Sequence, residues 1–191
     1  MVDIAFFKAK RGGFDDKVID LVTGRRGYSH CEVVIAPNTT VGAHATGKGV
    51  ATYYYTDLHN NPDWDIVRFE HGDLERVKDF LIYQLGKPYD YIGVALYAIG
   101  LEIYQSKGVW CSELCEYALI ASGSEYTSDE EMPMPNDLID NLMDNNQGTL
   151  LSKEAILHSS DDSARTIDKY GRTKIVMGGE PLWAVKHKKR G

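Results

Sequence analysis

The feature that most constrains this chain is a hairpin written into residues 28 to 45. Tyr28 to Ile35 alternates in the manner of a strand, Pro37-Asn38 supplies a turn, and Thr40 to Ala45 reads as the returning strand. Alternate strand residues share a face. His30, Glu32 and Val34 therefore point one way, while Cys31, Val33 and Ile35 point the other. The second set is uniformly apolar and is expected to face the core, which gives Cys31 a structural role.

Other strands surround the hairpin. Ile4 to Phe7 reads as a short strand stopped by Arg11-Gly12-Gly13, and Phe14 to Val22 has helical spacing with Thr23-Gly24 as its stop. Gly47 and Gly49 interrupt the returning strand before Val50 to Tyr55, and Trp64 to Phe69 is a further strand. Four or five strands thus fall within the first 70 residues. Helices dominate afterwards. Asp73 caps one through Leu85, with Leu74, Val77 and Leu81 on one face and Gly86 as its stop. Ile92 to Tyr104, Cys111 to Ser122, and Pro135 to Met143 read as three more. Gly148 to Ser163 has no clear period, while Lys174 to Met177 and Leu182 to Lys186 look like late strands. The expected class is α+β, a small antiparallel sheet packed against helices.

Composition bounds what such a fold is for. With 191 residues, 43% hydrophobic and 26% charged, the chain can bury one substantial core, so a single domain over 1–191 is expected. A net charge of -7 argues against a nucleic-acid partner. The basic cluster Lys186-His187-Lys188-Lys189-Arg190 reads as a solubilising terminus. Three cysteines, an odd number, do not form a disulfide framework and fit a reducing compartment. The opening Met1 to Phe7 has an early acid and no basic lead, unlike a signal peptide. Ile92 to Ile103, the most apolar stretch, contains two glycines and Glu102, so no transmembrane segment is expected.

Cys111 falls where a helix begins. Unpaired N–H groups and the positive end of the helix dipole favour a thiolate there, and the same N–H groups can hold an oxyanion. Taken alone, this segment also fits a buried cysteine acting as a small hydrophobe. His30 and Glu32 have two readings as well: a solvated strand face, or an imidazole base beside its orienting group. If the turn centres on Pro37, position 44 lies opposite position 30, which brings His44 within side-chain reach. A base imidazole needs a third group to set its tautomer. His44 and Glu32 both qualify.

The series Ser29-His30-Cys31-Glu32, Gly86-Lys87-Pro88-Tyr89-Asp90-Tyr91, Trp110-Cys111-Ser112-Glu113-Leu114 and Pro135-Asn136-Asp137-Leu138 resembles the permuted papain-like group of NlpC type. That group comprises the YiiX-like proteins, with lecithin retinol acyltransferase-like proteins as relatives. The resemblance covers about residues 4 to 142, in short pieces whose joint order is specific. The remaining 143–191 have no counterpart in it and are read as a C-terminal extension that serves as a lid, a substrate wall or an arm engaging a protein partner. In this group, as here, the histidine strand precedes the cysteine helix. The resemblance implies a circularly permuted papain-like fold and a cysteine hydrolase (peptidase, amidase or acyltransferase) acting on an amide or ester. Cys111 is the implied nucleophile, His30 the base, and His44 or Glu32 the third member. Tyr89 and Ser112 are implied to line the substrate or oxyanion side. No metal or organic cofactor is needed, and the substrate class is a peptide, a peptidoglycan stem or cross-link, or an acyl amide or ester. Proteins of this group occur in bacteria and bacteriophages, so a cytoplasmic or virion location fits, and a catalytically silent binding or structural protein is the alternative.

One chemical rival uses the same residues. Cys111 and Cys115 lie one helical turn apart, and His30 and His44 would complete a zinc site. Against it, Cys115 fits the buried face of its helix beside Leu114 and Leu119. His59, His71, His158 and His187 read as surface histidines, and Asp129-Glu130-Glu131 and Asp161-Asp162 as solvated acidic loops.

Overall fold

A computed structural model describes residues 1–9, 27–47, 49–97, 107–123, 126, 133–151, 165–167 and 173–175. The chain divides into two compact units, Met1–Glu154 and Ala155–Gly191.

The first unit is built on a six-stranded antiparallel sheet. Its strands are β1 (Val2–Lys8), β2 (Tyr28–Ala36), β3 (Thr39–His44), β4 (Gly49–Tyr54), β5 (Trp64–Phe69) and β6 (Gly148–Leu150), in the order β4-β3-β2-β1-β5-β6. All five strands expected before residue 70 are present. Asn38 carries the hairpin turn with φ 59°, a left-handed conformation that asparagine tolerates.

Four helices are described: α1 (Leu74–Gln84), α2 (Tyr91–Tyr97), α3 (Cys111–Ala121) and α4 (Pro135–Asp144). The Asp73 carboxylate caps α1 by accepting from the N–H groups of Glu75 and Arg76. Gly86, at φ 83°, ends that segment, as its position in the sequence predicts. Helix α3 packs on β2 and β3, α4 packs on β2, β5 and β6, and α1 packs on α3. Leu114 and Leu119 of α3, with Leu138 and Leu142 of α4, are fully buried. Each contributes about 1.5–3 kcal/mol through its burial. Opposite them in the same core lie Ile4, Phe6, Cys31 and Val33. The class is α+β.

Several boundaries differ from expectation. The segment expected to be helical from Ile92 to Tyr104 is described as helix from Tyr91 to Tyr97, and 98–106 lie outside the described residues. Its start is fixed by Asp90, whose carboxylate accepts from Gly93 N–H at 2.8 Å. Gly148–Leu150, unassigned from sequence, is an edge strand paired with Val67 to Phe69. Three residues are too few to show a period, so only the pairing with β5 defines it. The division after Glu154 falls beyond residue 142 because β6 completes the sheet of the first unit.

In the second unit β7 (Arg165–Ile167) pairs antiparallel with β8 (Thr173–Ile175). The latter overlaps the strand expected from Lys174, and β7 has no counterpart in the expectations. The helix expected at Phe14–Val22 and the strand expected at Leu182–Lys186 lie outside the described residues. So do His158, His187 and both acidic loops. Among the described residues, no helix is long and apolar enough to cross a membrane.

Candidate active site

Strand register assembles the site. The β2–β3 ladder pairs Val33 with Val41 and Val34 with Thr40. Continuing that register sets position 44 opposite position 30. The His30 and His44 rings lie 4.3 Å apart by centroid, with their Nε2 atoms 3.0 Å apart. Glu32, two residues along β2 and on the same face, places Oε1 3.1 Å from His30 Nε2 and 2.5 Å from His44 Nε2.

The solvated-face reading of this strand is overturned. Glu32 is fully buried and His30 and His44 are only partly exposed, because the β2–β3 face is roofed by aromatic side chains. Tyr53 of β4 stacks on His44 at 3.9 Å, and Trp64 of β5 meets His30 edge-on at 6.3 Å. A buried carboxylate needs partners for both oxygens. Oε2 has them: the Thr40 hydroxyl donates to it, and so does the Tyr55 hydroxyl at 2.9 Å. Gly42 makes room, since a Cβ there would stand 2.7 Å from Glu32 Cγ. Burial pushes the Glu32 pKa up, but donors on His30, His44 and Thr40 outweigh it and hold the carboxyl well below its ordinary range.

Cys111 is the first residue of α3 and is almost fully buried. The preceding Trp110 N–H donates to Glu113 Oε2 at 3.3 Å, a side-chain contact that defines the helix start. Cys31 and His30, both of β2, are the groups that act on the Cys111 thiol. The Cys31 contact, opposed by burial and joined by His30, holds the Cys111 thiol well below its ordinary pKa. Burial lowers the His30 pKa, but the charge of Cys111, with the hydrogen bond and charge of Glu32, raises it well above the ordinary imidazole value. Both shifts favour a thiolate beside an imidazolium. His30 Nε2 is engaged by Glu32 and His44, which leaves Nδ1 as the ring nitrogen for the thiol.

The Gly86–Tyr91 loop delivers Tyr89. Val50 N–H donates to Lys87 carbonyl at 2.9 Å and Gly86 N–H to Val50 carbonyl at 2.8 Å, fastening the loop to β4. On its other side Tyr89 bridges to Val109, next to the start of α3. Gly49, at φ 69°, lets β4 approach this closely, because a Cβ there would lie 2.0 Å from the Lys87 oxygen. Tyr89 is half-buried, and burial followed by the charge of Cys111 raises its pKa. Ser112 is fully buried and, among the described residues, its hydroxyl has no hydrogen-bond partner, so this side chain turns inward.

Cys111, His30, Glu32, His44 and Tyr89 therefore come together. The sequence reading did not find Thr40, Tyr55 or Gly42. Tyr55 was visible only as one of three tyrosines at 53–55, a run that β-strand packing accounts for more simply than a binding platform does. Nor did it find the second role of Cys31, which is a core residue and also acts on the Cys111 thiol. The rival zinc arrangement is not the cluster that forms. Among the described residues the metal-capable group is His30, Glu32 and His44, with ligand atoms within 4.8 Å of one another, and no cysteine joins it. His59, expected at the surface, is half-buried, and its Nδ1 has no hydrogen-bond partner among the described residues. No family model matches this chain, and no curated protein matches it.

Proposed function

We propose that this protein is a thiol hydrolase of permuted papain-like type, acting on an amide or ester carbonyl. The observation that carries this reading is the placement of Cys111, the first residue of a helix packed on β2, with His30 of that strand, an imidazole whose Nε2 is engaged by Glu32 and His44 and whose charge acts on the thiol. The order of histidine strand and cysteine helix, which resembles that of the permuted group, supports the same reading.

In the proposed cycle the Cys111 thiolate attacks the carbonyl carbon, forming a C–S bond as the carbonyl electron pair moves onto oxygen. N–H groups of the first turn of α3 face the developing oxyanion. The His30 imidazolium donates its proton to the departing amine or alkoxide, leaving a thioester. His30 then takes a proton from water, hydroxide attacks the thioester, and the thiolate departs. Glu32 is the third member, as the buried carboxylate that holds the His30 tautomer, and His44 braces Glu32. Tyr89 stands beside the thiol on the substrate side. A peptide, a peptidoglycan stem or an acyl amide or ester fits this chemistry.

The test is the iodoacetamide alkylation rate of Cys111 from about pH 5 to 9, in wild type and His30→Ala. A plateau reached well below the free-thiol pKa of about 8.5 and lost in the variant is the expected result. An ordinary thiol profile unaffected by the substitution would replace this reading with a binding protein that keeps the fold without the chemistry.

A further inference from the structure

His30 Nε2, His44 Nε2 and Glu32 Oε1 form a triangle with edges of 3.0, 2.5 and 3.1 Å. Protons cannot bridge all of it. An imidazole nitrogen offers either one proton or one in-plane lone pair. The edge between the two histidines needs one ring to donate and the other to accept. The donating ring has then spent its proton, and its edge to Glu32 is left bare. When both rings donate to Glu32 instead, two N–H groups crowd the 3.0 Å edge. Protonating Glu32 moves the bare edge without removing it.

An ion that accepts three lone pairs satisfies all three corners together. Two ligands about 2.1 Å from one ion stand about 3.0 Å apart at the right angles of an octahedral site and about 3.4 Å apart in a tetrahedral one. The 3.0 and 3.1 Å edges match the octahedral spacing, and the 2.5 Å edge is shorter than either. Two imidazoles and one carboxylate suit the borderline transition metals rather than calcium or magnesium. The outer shell of such a site is in place as well. The second oxygen of Glu32 accepts from Thr40 and Tyr55, and Tyr53 stacks on the His44 ring. Glu32 is fully buried, whereas the His30 and His44 side chains keep 15% and 27% of their exposure, so an ion can enter from the histidine side.

We propose that His30, Glu32 and His44 bind a divalent transition metal of the zinc class through these three atoms, with the remaining positions taken by water. Occupancy and the thiol cycle exclude one another. A metal on Nε2 confines the His30 proton to Nδ1, and a ring so confined cannot take a second proton from Cys111. Metal binding is then an off-switch for the hydrolase. That consequence rests on the Cys–His reading, while the binding itself rests on the triangle alone.

The full chain, stripped with a chelator, is titrated with Zn²⁺ by calorimetry and with Co²⁺ by visible absorption. Wild type, Cys111→Ala and His44→Ala are compared. About one equivalent is expected to bind, with cobalt d–d bands and no thiolate-to-cobalt charge-transfer band. Affinity in Cys111→Ala should stay within about twofold, and in His44→Ala it should fall at least about 10-fold. Circular dichroism checks that the His44 variant is folded, and His44→Gln replaces it if it is not. No saturable binding, a sulfur charge-transfer band, or a folded His44 variant that binds like wild type would overturn the proposal. Cys111→Ala has no nucleophile, so the two readings fail separately. An ordinary alkylation profile in metal-free wild type ends the hydrolase reading and leaves the metal site standing.

Discussion

His30 and His44 stand 14 residues apart in sequence, yet their Nε2 atoms lie 3.0 Å apart across the hairpin. The turn at Pro37-Asn38 and the register shift between Val34 and Ala36 together set that meeting, by fixing which residues of β2 and β3 oppose one another. A slip of one residue would send His44 to the other face of the sheet. The same face carries Glu32, so one register decision gathers two imidazoles around a single carboxylate oxygen.

Glu32 is the hub, and its loss should be costly. Glu32→Gln leaves two histidines without their counter-charge in a buried setting, and we expect a loss of about 3 kcal/mol in urea unfolding at neutral pH. The folded carboxyl is held well below its ordinary range despite burial, while the unfolded one titrates near about 4.3. A depressed folded pKa stabilises above the unfolded value, and the effect is lost as pH falls through the folded one. The gap between wild type and variant should therefore close in acid. A gap independent of pH would show that the charge is not what is lost.

Gly42 reports on the same carboxylate by sterics alone. A methyl group there meets Glu32 Cγ at 2.7 Å, so Gly42→Ala must displace the Glu32 side chain or the strand. We expect about 1–3 kcal/mol of destabilisation in thermal unfolding. The alkylation profile of Cys111 should move towards that of a free thiol, because His30 loses its anchor. An unchanged profile would remove Glu32 from the orienting role.

Cys31 acts through Cys111. It is the foremost influence holding the Cys111 thiol below its ordinary pKa. In Cys31→Ala the midpoint of Cys111 alkylation should shift to higher pH while remaining below that of His30→Ala. Mass spectrometry of the alkylated peptide separates Cys111 from Cys115.

Asn136 holds the entrance of the histidine strand. Its Nδ2 donates to the Tyr28 carbonyl and its Oδ1 accepts from Tyr28 N–H, both at 2.9 Å, clamping β2 to the start of α4. Asn136→Ala leaves two backbone groups without these partners, for an expected loss of about 2–4 kcal/mol in chemical denaturation. The loss should be much the same from pH 5 to 8, in contrast to that of Glu32→Gln on the acid side. A loss that varies steeply with pH across that span would contradict a purely backbone role.

The sequence was most legible where local physics acts alone. The alternation of Tyr28 to Ile35, the turn at Pro37-Asn38 and the cap at Asp73 each declare an element within a few residues. The turn narrows the hairpin register to within a residue or two, and the register shift between Val34 and Ala36 decides that position 44 falls opposite position 30. β6 was not legible, because three residues acquire strand geometry only by pairing with β5. The burial of Glu32 was not legible either. Strand alternation says which residues share a face, and it does not say whether that face meets water or the rings of Tyr53, Tyr55 and Trp64.

Residue order by itself determined the α+β class, the hairpin, and a cysteine at the start of a helix. Those are short-range matters of backbone propensity, turn chemistry and capping. Only the tertiary structure brought Cys111 against His30 and Cys31, surrounded Glu32 with four donors, and set Tyr89 beside the thiol. The physical reason is that the Cys111 contacts join α3 to a strand about 80 residues earlier in the chain, while the groups around Glu32 reach it only once the strands have paired. Packing of the apolar face of α3 on β2 fixes those separations, and no local pattern encodes them.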